Sequence, residues 1–282
     1  MNFLDILRQI AEYVIFPEAI IAVAGAGFLG YWLLKTSLGR KSLVDSVPRR
    51  NNMPVYLPFL PLLIYLGFFP AAVEMTVLII GDMPKWQKAF VENLVTIAGA
   101  IAIMVIILFL VRASFARRLK GFGLNPRTIG KDFGIAAVNY LSIWPVVMVM
   151  IILTIEAGKL FIGPDFKIEQ HREIEFLTKH QQLPLIISIL FSAVIITPIF
   201  EEMIFRGLFQ TMLRSFTGKA WLSIIITSVF FALIHINREH WPALFVLSVG
   251  MGYSYEKSGS LFRPIFIHAF FNATSAILTL TQ

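Results

Sequence analysis

Three short motifs bring together the side chains of this chain that could do chemistry. They are Glu201-Glu202-x-x-x-Arg206, Phe231-x-x-x-His235 and His268-x-x-x-Asn272. Residues four apart share a helix face, so Glu202 can pair with Arg206, Phe231 lies beside His235 and His268 stacks near Asn272. Glu201 points about 100° away from Glu202. One carboxylate can therefore face a cavity while the arginine holds its neighbour. A carboxylate withdrawn from water can take a proton from a water molecule and return it to a leaving amine. One histidine can share that water. A second histidine and an amide can donate hydrogen bonds to the oxyanion of a tetrahedral intermediate. Base, partner and oxyanion donors are all present, which is the equipment of peptide-bond hydrolysis.

The elements that must position these groups are apolar. Glu201 and Glu202 lie in the stretch Leu183 to Arg206, where apolar residues dominate. An ionisable group at bilayer depth costs roughly 2.5 kcal/mol or more, so a pair of them implies a protected polar cavity. The chain is 57% hydrophobic with a mean hydropathy of +0.76, far above an ordinary soluble domain. Several apolar runs reach the ~20 residues that span a hydrocarbon core. We expect an all-α, polytopic membrane helix bundle of about eight spans, at 14–34, 54–80, 90–112, 134–162, 183–213, 219–236, 242–257 and 261–280. At about 1.5 Å per residue, Glu201, His235 and His268 then all fall within the hydrocarbon layer. Breakers at Pro54, Gly81, Pro84, Gly163, Pro164, Gly218, Pro242 and Gly259 separate the spans.

This divides the chain into four N-terminal spans (1–162), a polar connecting loop (163–182) and a chemistry-bearing membrane domain (183–282). The polar loop reads as a solvated face. Leu4, Leu7, Ile10 and Val14 recur at helical spacing, which suggests a surface-lying helix before a retained first span. Ala26 with Gly30, and Ser248 with Gly252, are small-residue pairs suited to close helix packing. The net charge of +7 sits mainly in loops after the odd-numbered spans, not in a nucleic-acid-binding stripe. By the positive-inside rule that side is cytoplasmic and both termini are non-cytoplasmic. The chain has no cysteine, which excludes disulfides, thiolate nucleophiles and thiolate metal ligands.

The ordered trio of motifs on late membrane helices resembles the CAAX-prenyl endopeptidase and bacteriocin-processing family of intramembrane proteases, over roughly residues 183–280. The resemblance implies an α-helical bundle with a cavity open to the membrane. It implies that Glu201 activates water with help from His235, that His268 and Asn272 form the oxyanion site, and that Glu202, Arg206 and Phe231 support them. It also implies a membrane-associated or lipid-anchored peptide substrate, CAAX-like or, in a prokaryotic cell membrane, bacteriocin-like. No metal is expected, although zinc held by Glu201, His235 and His268 is the mechanistic alternative. The run His235 to His240 does not supply it, because its histidines are five apart and match neither zinc spacing. Two other functional classes compete: a proton-coupled transporter using Glu201, His235 and His268 as a relay, and a non-catalytic binding or immunity factor.

Overall fold

The computed structural model describes residues 18–168 and 182–281. The expected surface helix at the N-terminus and most of the polar connecting loop lie outside the described residues. Within them the fold is all-helical, with no strand beyond an isolated bridge between Asn51 and Phe115. The principal helices are α1 (Glu18–Lys35), α2 (Phe59–Ile80), α3 (Lys85–Ser114), α4 (Ile129–Phe161), α5 (Leu183–Thr217), α6 (Ala220–Leu233), α7 (Trp241–Ser258) and α8 (Phe262–Thr281). Helices α2, α3, α4 and α5 are long and apolar enough to cross a membrane, and Ile21–Lys35 and α6 are shorter apolar helices. Apolar residues such as Leu34, Leu78, Phe109, Leu153 and Phe161 cover much of the outer surface. In water they would form an improbably large apolar patch, whereas facing lipid they carry no penalty. The chain is a membrane helix bundle.

Turn chemistry explains several boundaries. Gly218 and Gly259 follow α5 and α7 in the left-handed conformation, at φ of 69° and 72°, where a side chain would be strained. Pro242 opens α7 in its first turn, where its missing N–H costs no hydrogen bond.

Around the site, α4 packs against α1, α7 and α8, and α7 packs against α6. Most of the core is a single cluster running from Leu62 on α2 to Ile267 on α8. Of the two expected small-residue pairs, Ser248 and Gly252 sit where α7 meets α5 and α6. A Cβ on Gly252 would fall 2.8 Å from Gln210 Oε1 and 3.1 Å from Ile224 Cγ2. The pair on α1 is corrected: Ala26 is exposed and Gly30 has open space, while Gly25 presses on the Leu141 carbonyl and Pro145 of α4. The close approach on α1 is thus made by one glycine on the neighbouring face and not by a pair four residues apart.

The loops after α1, α3, α5 and α7 meet at one end of the bundle. There Arg214 Nε bonds Glu256 Oε1 at 2.9 Å, and Arg49 stacks on the Tyr255 ring 3.5 Å from its centroid. Arg263 Nε bonds Asp132 Oδ1 at 2.7 Å, and Ser260 Oγ donates to Asp132 Oδ2 at 2.6 Å.

Candidate active site

Helix α5 is irregular where the glutamates sit. They end a short α-helical segment, Thr197–Glu202, between two π-helical stretches, Ser192–Ile196 and Met203–Gln210. Such wide turns collect at functional sites. The first has a cause in the sequence. The Thr197 N–H bonds the Ser192 carbonyl five residues back. Pro198 comes next and has no N–H to continue that pattern onto Ala193. The Ala193 carbonyl instead receives Asn272 Nδ2 from α8, at 2.8 Å. Asn272 thus supplies the hydrogen bond that the proline removes.

Glu202 is the neutralised carboxylate. Its Oε1 accepts from Arg206 Nη1 at 2.7 Å and lies 3.0 Å from His268 Nδ1. Both Glu202 and Arg206 are completely buried. The guanidinium is further held by Ser248: Nη2 donates to Ser248 Oγ at 2.6 Å and, at 3.3 Å, to its carbonyl. The Phe231 ring lies under it, 4.7 Å from centroid to Cζ. Arginine fits this place because its planar fork can serve two acceptors at once while an aromatic ring covers its face.

Glu201 is the other kind of carboxylate. It retains 8% exposure, accepts no hydrogen bond among the described residues, and has its Oε2 buried without a donor. That Oε2 lies 3.9 Å from His268 Nε2. The separation is too long for a hydrogen bond, but a single water could touch both atoms. The two glutamates therefore divide as their roughly 100° offset predicts.

His268 has one ring nitrogen near each glutamate. With Glu202 ionised against Arg206, Nδ1 carries the hydrogen toward Oε1 and Nε2 faces Glu201. His235 is not on α6 as expected but in the turn just after it. Its Nδ1 lies 2.7 Å from the Phe231 carbonyl, and its own carbonyl accepts Trp241 Nε1 at 2.8 Å. A carbonyl only accepts, so Nδ1 must donate and neutral His235 keeps its lone pair on Nε2. The rings of His235 and His268 flank Phe231 at centroid distances of 4.9 and 5.8 Å.

The geometry thus brings together Glu201, Glu202, Arg206 and His268, with Phe231 packed against them. It ties His235 and Asn272 to backbone carbonyls nearby. No ion pair or hydrogen bond joins His235 to Glu201 among the described residues. Nor do three carboxylate or imidazole groups there form a metal-binding set, so zinc on Glu201, His235 and His268 would require a rearrangement. Sequence reasoning missed two participants. Ser248 looked like a packing residue, and nothing in its spacing from Arg206 signals the hydrogen bond. Pro198 could have been noticed, since a proline inside an apolar span leaves a carbonyl seeking a donor.

An uncharacterized 24.3 kDa protein of Escherichia coli is 29% identical to this chain over 100 residues, which are 33% of this chain and 46% of that protein. The match thus spans less than half the length of this curated relative. No solved structure matches the chain significantly. Residues 183–274, which hold all seven candidate residues, match the family described as Rce1-like, type II CAAX prenyl endopeptidase.

Proposed function

We propose that this protein is an intramembrane endopeptidase that hydrolyses membrane-associated or lipid-anchored peptides with Glu201 as the water-activating base. The observation that carries the reading is the contrast between two adjacent glutamates. One is bonded through Oε1 to an arginine, while the other accepts no hydrogen bond among the described residues and faces an imidazole 3.9 Å away.

The mechanism follows from the charges. Ionised Glu201 and Glu202 with Arg206 sum to one negative charge, and one proton shared between Glu201 and His268 makes the buried group neutral. Glu201 takes a proton from water as the hydroxide oxygen adds to the peptide carbonyl. Protonated His268 presents Nε2–H to the resulting oxyanion, with Glu202 as its counter-charge. The proton on Glu201 then passes to the departing amine as the C–N bond breaks, leaving a carboxylic acid and an amine. His235 Nε2 is a second acceptor for the attacking water. The remaining amide hydrogen of Asn272 is a second oxyanion donor.

The catalytic unit is 183–282, and the front four helices form its apolar surround. The end carrying Arg49, Arg214 and Arg263 is the cytoplasmic one, which leaves both termini outside. The test uses purified protein in liposomes with candidate lipidated and unlipidated membrane peptides. Cleavage by wild type and none by Glu201→Gln is expected. Equal turnover by the two would remove Glu201 as the base.

A further inference from the structure

Helices α5 and α7 run side by side and are joined at three successive turns. Arg206 Nη2 reaches Ser248 Oγ at 2.6 Å, Gln210 Nε2 reaches the Gly252 carbonyl at 3.0 Å, and Arg214 Nε reaches Glu256 Oε1 at 2.9 Å. Each partner lies forty-two residues further along the chain. The rungs share a register but not a setting. Arg214 with Glu256 belongs to the charged end of the bundle, and Gln210 with Gly252 is buried packing. Only the Ser248 rung touches the group containing Glu201, Glu202 and His268.

We propose that Ser248 is a positioning residue of the peptidase, an inference that rests on the function proposed above. The guanidinium is a rigid plane, so fixing Nη2 also fixes the direction of Nη1. Nη2 is fixed by the Ser248 hydroxyl and, more loosely, by the Ser248 carbonyl at 3.3 Å. Nη1 holds Glu202 Oε1 at 2.7 Å, and the same oxygen lies 3.0 Å from His268 Nδ1. His268 in turn aims Nε2 at Glu201 across 3.9 Å. An order imposed on α7 is therefore transmitted through α5 to the imidazole on α8. Ser248 is completely buried, so no solvent competes for its hydroxyl. Without that oxygen, Nη2 keeps only the longer carbonyl contact, and the guanidinium can pivot over the Phe231 ring about its bond to Glu202. The oxyanion donor then loses its aim without any loss of substrate contact.

The discriminating measurement is steady-state cleavage in liposomes by the full chain and four variants, Glu201→Gln among them, with thermal unfolding of each. Ser248→Ala should lower kcat by about tenfold to a hundredfold, the range of one charge-assisted hydrogen bond. KM should stay within about twofold, because Ser248 acts on the catalytic group and not on substrate. Ser248→Cys keeps the volume with a weaker acceptor and should fall between wild type and alanine. It also provides the reading if the alanine variant does not fold. Gln210→Ala removes an equally buried rung that does not touch the site, and its kcat should stay within about twofold of wild type. Wild-type kcat in both Ser248 variants overturns the proposal, as does an equal loss in Ser248→Ala and Gln210→Ala. Cleavage that Glu201→Gln abolishes but Ser248→Ala leaves intact sinks only the positioning role. No cleavage by wild type sinks the function as well.

Discussion

Replacing Arg206 with methionine is the sharpest test of how the buried charges are held. The side chain is wholly inaccessible and bonds Glu202, which is equally buried, at 2.7 Å. With an effective dielectric of about 20, two unit charges at that separation attract by roughly 6 kcal/mol, and the desolvation of both ions offsets much of this. Methionine restores the apolar volume but takes the guanidinium from Glu202, which keeps only the His268 imidazole at 3.0 Å, and breaking a buried pair in this way costs about 3–5 kcal/mol. The serine hydroxyl also loses its donor. Unfolding in mixed micelles, followed by circular dichroism, should register a loss of that size. The informative comparison is the double variant Arg206→Met, Glu202→Gln. It contains no unpaired charge and should recover at least half of the loss. Two results would refute the reasoning: a single variant within about 1 kcal/mol of wild type, or a double variant no more stable than the single. Either would mean that Glu202 is not held as an ion by Arg206.

Three further outcomes follow from the geometry. Asn272→Leu strips the Ala193 carbonyl of its donor and should cost about 1–3 kcal/mol in the same unfolding assay; adding Pro198→Ala returns a backbone N–H to that turn and should restore part of it. Gly207→Ala places a methyl where the Phe122 ring already lies, so it should destabilise by about 1–3 kcal/mol, whereas Gly30→Ala, with open space around it, should not. If Glu201 activates water without a metal, cleavage should survive extensive treatment with a strong chelator, and loss that added zinc restores would favour the zinc alternative.

The fold was legible because membrane insertion leaves few options. Apolar runs must become helices, and Gly218 and Gly259 mark where two of them stop. The pairing of Arg206 with Glu202 and not with Glu201 was also legible, because adjacent helical positions diverge and Arg206 lies one turn beyond Glu202. Three features were not. The end of α6 at Leu233 depends on His235 turning back to bond the Phe231 carbonyl, and hydropathy does not see that bond. The π-helical turns of α5 and the hydrogen bond from Asn272 to the Ala193 carbonyl were not visible in the residue spacing, although the four-residue pairing of Glu202 with Arg206 held through them. The face α1 offers to α4 rests on a single glycine, and Gly25 and Ala26 look alike to a composition rule.

The irregularity of α5 has its own physical origin. Spacing rules assume a straight helix with its hydrogen bonds closed within itself, and that assumption fails between Ser192 and Gln210. Pro198 opens the ladder of α5, and a side chain from α8 closes it again. The same bond therefore repairs a backbone defect and anchors α8 to α5, four residues from His268. A defect repaired within its own helix would remove one polar link between α8 and α5, leaving that of His268 to Glu202. One repaired across helices couples the turn bearing Glu201 to the helix bearing the imidazole. Asn272 should consequently influence catalysis through the placement of His268 even if its amide never meets an oxyanion. On this argument, the proline and the asparagine work as a pair, and the irregular stretch of α5 is part of what brings the glutamates and the histidine to one place.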